Sequence, residues 1–277
     1  MDAGYLKLRA SLEAMGGALV AFSGGVDSSL LLAAARDALG GSLLAVTATS
    51  PTFPDHDLES ARRIASDLGA RWINLETHEL DDPQFTENPP NRCYFCKKKL
   101  FSLLLEKARE EGLPFVIDAT NADDLSDFRP GLIALRELGI RSPFVELGIG
   151  KEEIRRLARA LGLENWDKPS SACLASRIPY GEEITKERLE RIGKAEASLR
   201  ELGFRQVRVR DHGSLARLEI VADDMNKLIE SHLRDSIVQI CKKAGYTYVT
   251  LDLQGYRTGS MNESLGGSPQ SAQNAEE

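Results

Sequence analysis

The chain has 277 residues, 42% hydrophobic and 28% charged, enough to bury the core of one large or two modest globular domains. A net charge of −7 argues against broad nucleic-acid binding, with tRNA an unexpected partner, and four cysteines are too few for a disulfide framework. No apolar run approaches the roughly 20 residues needed to cross a bilayer, and the opening MDAGYLKLRASLEAMGG lacks the apolar centre of a secretory signal, so the expectation is a cytoplasmic protein with reduced thiols and no membrane.

In chain order, Ala18–Ser23 is a short apolar run ending in glycines, and Ser28–Leu39 follows with helical spacing. Leu43–Thr47 reads as a strand, Leu58–Leu68 as a helix, Arg71–Leu75 as a strand, Lys97–Glu111 as an amphipathic helix and Pro114–Ala119 as a strand. Strands alternating with helices predict an α/β fold, a parallel sheet with helices on both faces. Ligands in such sheets sit at the carboxyl ends of strands, which here means the loops after Phe22, Thr47 and Ala119. Lys151–Leu161 is one more helix, and the Pro- and Ser-rich Asn165–Tyr180 is too irregular to extend it. Thr185 then caps a helix running to about Leu202. Gln206–Arg210 and Leu215–Ile220 alternate as a hairpin with one polar face, and a helix over Asp223–Ala244 and a strand over Tyr248–Leu253 complete a small α+β C-terminal domain. The expected organisation is residues 1–165 as the first domain, 166–184 as a loop carrying Cys173, 185–262 as the second domain, and a disordered tail over 263–277.

Ser23-Gly24-Gly25-Val26-Asp27-Ser28-Ser29 joins the first strand to the first α/β helix. Adjacent glycines let backbone N–H groups approach an anion, the hydroxyls add donors, and the helix N-terminus favours negative charge. The same residues also satisfy a plain tight turn, and the Walker spacing is absent. Further along, Thr120–Asp124 and Asp127-Phe128-Arg129-Pro130-Gly131 crowd carboxylates around one arginine at a strand end, a set suited to Mg²⁺ and phosphate or to a solvated turn.

Cys93-x-x-Cys96 runs directly into Lys97, Lys98 and Lys99. Alone, the spacing fits a redox pair, half a zinc site with His212 or Cys241 as the fourth ligand, or part of an iron–sulfur site. Cys241 lies in an apolar helical stretch and reads as core. Cys93, Cys96 and Cys173 together suit a [4Fe–4S] cluster with one open iron.

The loop Ser23–Ser29 is similar to the pyrophosphate loop of the ATP pyrophosphatases, which include NAD, GMP and asparagine synthetases and tRNA-thiolating enzymes. That resemblance implies that Ser23, Gly24, Gly25, Asp27 and Ser28 hold the pyrophosphate of ATP, with magnesium assisting. Taken with Tyr94–Phe101, DFRPG at 127–131, Cys173 with Ser176-Arg177-x-Pro179-Tyr180-Gly181, VRVR at 207–210 and Tyr248–Asn262, the chain resembles the LarE family of sulfur insertases in nickel-pincer nucleotide synthesis. The resemblance implies adenylation of a carboxylate on a pyridinium mononucleotide, and displacement of AMP by sulfur. It implies catalytic roles for Cys173, Lys97, Asp127 and Arg129, nucleotide or substrate contacts from Thr47, Asn121, Arg177, Arg208 and Arg210, and metal ligation by Cys93, Cys96 and Cys173. A sulfide or other sulfur donor and a homo-oligomer, a hexamer among the possible forms, are implied as well. One-cysteine relatives give up the loop cysteine's own sulfur; this chain departs from them by adding Cys93 and Cys96. A tRNA 2-thiolation enzyme would share the loop and the cysteines, and an amidotransferase-like synthetase would not need the thiols.

Overall fold

The structure, a computed structural model, describes residues 2–126, 129–169, 172–229, 231–257 and 259–265. It divides into two compact units, Met1–Glu79 with Asn91–Ser171, and Leu80–Pro90 with Ala172–Glu277.

The first unit is a parallel four-stranded sheet in the order β3-β2-β1-β4, from β1 (Ala18–Ala21), β2 (Leu43–Thr49), β3 (Trp72–Glu76) and β4 (Phe115–Ile117). Alternation of side chains along a strand explains why the apolar runs are continuous. Ala18, Val20, Leu43 and Ala45 face one core, with Leu8 and Leu12 of α1 (Ala3–Glu13), Leu30 and Leu31 of α2 (Val26–Leu39) and Ile154 of a later helix. Leu19, Leu44 and Val46 face the other, with Phe101 and Leu104. Helices α3 (Asp55–Asp67), α4 (Arg92–Glu110), α5 (Gly131–Glu137) and α6 (Lys151–Ala160) complete the layers. The chain leaves β1 toward β2 on one side and reaches β4 on the other, so the sheet switches direction between β1 and β4. The loops after those strands carry Ser23–Gly25 and Asn121, at the crevice where such sheets bind ligands.

Helix α4 begins at Arg92, earlier than the expected Lys97. Pro89 and Pro90 are barred from a helix interior, but nothing after Asn91 breaks the helix, so Cys93 and Cys96 fall within its opening turns. The thiols are therefore one turn apart on one helix face, not in a leading loop.

The second unit has α7 (Lys186–Glu201) packed on a sheet of order β5-β6-β7. As expected, Thr185 caps α7, its hydroxyl accepting from the Arg188 N–H at 3.3 Å. Strands β5 (Val207–His212) and β6 (Leu215–Ile220) form the hairpin, and β7 (Tyr248–Leu251) pairs parallel with β6. One hairpin face, with Val207, Val209, Leu218 and Ile220, closes on Leu199, Ile237 and Cys241. The other is polar but buried, because Arg208, Arg210 and Glu219 are covered rather than solvated. The helix expected over 223–244 is divided into Ala222–Met225, a 3-10 turn at Asn226–Ile229, and α8 (Ser231–Lys243). Its Asp- and Asn-rich start competes with helical backbone bonding.

Residues 80–90, which the sequence reading assigned to the first domain, belong to the second unit. Asn88 explains why: fully buried and at φ +57°, it donates its Nδ2 to the carbonyls of Pro179 at 2.7 Å, Glu182 at 2.9 Å and Ile178 at 3.4 Å. Its own carbonyl accepts from Gly181 N–H at 2.9 Å. The tail from residue 266 onward, expected to be disordered, lies outside the described residues.

Candidate functional site

The phosphate loop closes on itself through hydroxyls. The Ser23 N–H donates to Ser28 Oγ at 3.3 Å, the two serine hydroxyls share a hydrogen bond of 3.1 Å, and Ser28 Oγ donates to the Gly25 carbonyl at 3.1 Å. Gly24 is required twice over: its φ is +72°, and a Cβ there would sit 3.0 Å from Ala61 Cα of α3. Gly25 is the N-cap of α2 and offers no capping side chain, so the first-turn N–H groups stay available to an anion.

Asp27, in the first turn of α2, accepts from Lys151 Nζ with both oxygens, at 2.7 and 2.6 Å. Burial pushes its carboxyl above the ordinary range, against the pull of the Lys151 ammonium, and the nearby Asp124 adds to the push. The second loop wall comes from the segment after β4. Asn121 Oδ1 accepts from Asp123 N–H at 3.0 Å, Asp124 Oδ2 from Asn121 N–H at 3.1 Å, and Asp123 Oδ2 from Lys151 N–H at 2.7 Å. Arg129 pairs with Asp124 at 2.9 Å. Asp127 lies outside the described residues. Thr47 is fully buried, its hydroxyl accepting from Trp72 Nε1 at 2.8 Å, so it braces β2 against β3.

On α4, Cys93 is exposed and Cys96 half-buried. Lys97 is half-buried over the Phe101 ring at 5.0 Å. Gly131 of the DFRPG motif admits this packing, since a Cβ there would lie 2.9 Å from Lys97 Cγ and 3.4 Å from the Cys93 carbonyl. Lys98 is on the exposed face, bound to Tyr94 Oη at 2.6 Å and Glu137 at 2.8 Å.

In the second unit, exposed Cys173 begins a loop that Arg177 organises. The buried Arg177 guanidinium forms a two-point pair with Glu196, at 2.8 and 2.9 Å, and donates Nη1 to the carbonyls of Ala172 and Cys173 at 2.8 and 3.2 Å. Arg210 is 1% exposed and pairs with Glu219 at 2.7 Å, while also donating to Ser260 Oγ and the Ser176 carbonyl, each at 2.7 Å. The guanidiniums of Arg177 and Arg210 are thus committed to carboxylates and to the cysteine loop, where the sequence reading had them meeting a ligand. Arg208 differs. It donates to Tyr256 Oη at 2.7 Å and stacks on that ring at 4.5 Å, and among the described residues no carboxylate lies within ion-pair distance. Burial, reinforced by Arg177 and Arg210, pulls its pKa down.

No disulfide joins Cys93, Cys96, Cys173 or Cys241, and burial pushes the Cys241 thiol up to about 11, as befits a core residue. Among the described residues no group of three or more His, Cys, Asp or Glu side chains is gathered as a metal site. No helix among them is long and apolar enough to cross a membrane. Sequence reading missed three residues that organise these loops: Lys151, Asn165, which donates to the Gly24 carbonyl at 3.1 Å and Ser29 Oγ at 2.9 Å, and Asn88. Each works through a partner far away in the chain, and no local pattern marks it.

Comparison with known proteins supplies the remaining observations. Residues 9–87 match the asparagine synthase family model. The chain is 46% identical to an uncharacterised protein of Synechocystis over 90% of its length and 92% of the relative. It is 38% identical to the pyridinium-3,5-bisthiocarboxylic acid mononucleotide synthase of Lactiplantibacillus plantarum over 93% of each chain. It is also 27% identical to the glutamine-hydrolysing GMP synthase of Aeropyrum pernix, over 66% of this chain and 39% of that one.

Proposed function

This chain belongs to the LarE family, that of the pyridinium-3,5-bisthiocarboxylic acid mononucleotide synthase, and on that premise we propose that it adenylates carboxylates of pyridinium-3,5-biscarboxylic acid mononucleotide and converts them to thiocarboxylates. The observation that carries this reading is the 38% identity over 93% of both chains, joined to a phosphate loop with a bare helix N-terminus.

A carboxylate is a poor electrophile, and transfer of AMP to its oxygen creates a leaving group. In the proposed step that oxygen attacks the α-phosphorus of ATP, and pyrophosphate departs toward the Ser23–Ser28 loop, where N–H groups and the α2 dipole receive its charge. Sulfur then adds to the acyl carbon and AMP leaves. Mg²⁺ takes one or two carboxylates together with phosphate oxygens, and Asp27, at the mouth of the loop, fits that demand. Lys97 and Arg129 are assigned to charge on the phosphates, together with Asp127 as a catalytic carboxylate. Arg208, with no carboxylate in ion-pair distance among the described residues, is assigned to the substrate phosphate, and Arg177 and Arg210 to holding the Cys173 loop.

For the sulfur we propose a [4Fe–4S] cluster held by Cys93, Cys96 and Cys173. The donor chemistry fits, since two thiols share one helix face and Cys93 and Cys173 are exposed. Such a cluster supplies an open coordination position for the sulfur that is transferred. Cytoplasmic conditions keep these thiols reduced. The second reading, Cys173 as its own sulfur donor, is favoured by the exposure of that residue in its loop.

The test is incubation of the full chain with MgATP and the biscarboxylic mononucleotide under anaerobic, sulfide-supplied conditions. AMP, pyrophosphate and the thiocarboxylate product are expected in step. ATP turnover with tRNA, and none with the mononucleotide, would overturn the assignment.

A further inference from the structure

The turn after α6 reaches the phosphate loop from outside. Leu163 and Trp166 anchor this turn in the first unit's core, and Arg159 covers the Trp166 ring at 4.9 Å. Between the two anchors, Asn165 gives its Nδ2 to the Gly24 carbonyl at 3.1 Å and to Ser29 Oγ at 2.9 Å. Three residues on, Lys168 Nζ pairs at 2.8 Å with Asp57, a buried carboxylate of α3. Helix α3 is also the wall against which Gly24 leans, through Ala61. One turn therefore ties down both the loop and its wall.

In a trans peptide the carbonyl and the following N–H point in opposite directions. A clamp on the Gly24 carbonyl therefore fixes where the Gly25 N–H points. Among the described residues that N–H makes one long, exposed contact, 3.4 Å to Ser23 Oγ, which leaves it open to a ligand. A Gly-Gly peptide is otherwise easily inverted, because neither residue carries a Cβ to forbid the alternative.

We propose that Asn165 is a positioning residue of the phosphate site: its amide holds the Gly24–Gly25 peptide in the orientation that binds pyrophosphate, with the Lys168–Asp57 pair bracing the wall behind it. The inference rests on the reading that Ser23–Ser29 holds pyrophosphate.

The test is calorimetric titration of the full-length chain with magnesium pyrophosphate and, separately, with AMP, for wild type, Asn165→Ala and Asn165→Asp. The alanine variant is expected to lose roughly tenfold in pyrophosphate affinity, the scale of one lost hydrogen bond. The aspartate variant, nearly isosteric and so least able to disturb the fold, should lose at least as much, because it sets a carboxylate against the Gly24 carbonyl. AMP affinity should stay at the wild-type value in both. Wild-type pyrophosphate affinity in the two variants would overturn the inference, and so would equal losses for pyrophosphate and AMP, which mark a general structural defect. A wild-type chain that binds no magnesium pyrophosphate would instead overturn the reading of the loop itself.

Discussion

Lys151 donates to both carboxylate oxygens of Asp27, at 2.7 and 2.6 Å, and joins the start of α6 to the first turn of α2. Despite this pair, burial holds the Asp27 carboxyl above its ordinary pKa. An aspartate in that state costs stability when ionised, as expected of a residue with the binding role proposed for it.

Asp27→Asn should therefore abolish magnesium-dependent ATP turnover, by about 100-fold or more, without lowering the melting temperature at acidic pH. The sign of the pH effect follows from the direction of the shift. A carboxyl whose folded pKa is raised contributes stability below its unfolded pKa, and that contribution is lost as pH rises through the folded value. The stability difference between wild type and Asp27→Asn, followed by thermal melts from pH 4 upward, should move against the wild type as pH rises. A difference that stays constant, or that moves in favour of the wild type, over the same window would contradict the account.

Arg208 and Arg210 are two residues apart on one strand and should respond in opposite ways. Glu219 stands opposite Arg208 in the β5–β6 register, but its carboxylate is taken by Arg210 at 2.7 Å and by Ser260 at 2.9 Å. Arg210→Met takes the nearest cation from a buried carboxylate that keeps only Ser260 Oγ at 2.9 Å and Arg217 at 3.4 Å, and should cost about 3 kcal/mol in urea unfolding. Arg208→Met should leave stability unchanged or raised, while raising the KM for the mononucleotide roughly tenfold or more with the KM for ATP unmoved. Equal destabilisation by the two substitutions would remove the distinction.

The burial of those arginines was not legible in the sequence. VRVR alternates as a solvated strand face does, and only the position of Glu219 on the partner strand and Ser260 from the C-terminal segment turns it inward. The phosphate loop and the parallel sheet were legible, because glycine pairs, hydroxyls and continuous apolar runs act locally. The CxxC spacing was equally plain, but its place inside α4 depended on the absence of a helix breaker after Asn91. Lys151, Asn165 and Asn88 act through partners roughly 90 to 140 positions away, and their roles exist only once the chain is folded.

Asn88 offers a separate test of the second unit. Asn88→Ala removes the donor from buried carbonyls and forces a Cβ-bearing aliphatic residue to φ +57°, a combined loss of about 2–4 kcal/mol. Asn88→Gly accepts that backbone angle, so its loss should be smaller by about 1 kcal/mol. Urea denaturation of the two variants checks the difference, and an identical midpoint would contradict the assigned role of the backbone angle.

The source of sulfur is the central claim, and one anaerobic preparation tests it. The intact mass of the wild-type chain, measured before and after a single turnover with MgATP and mononucleotide, should be unchanged, with about four irons per chain that are lost in Cys93→Ala, Cys96→Ala and Cys173→Ala but retained in Cys241→Ala. A chain without iron whose Cys173 becomes dehydroalanine on turnover would contradict the cluster and make that cysteine the donor.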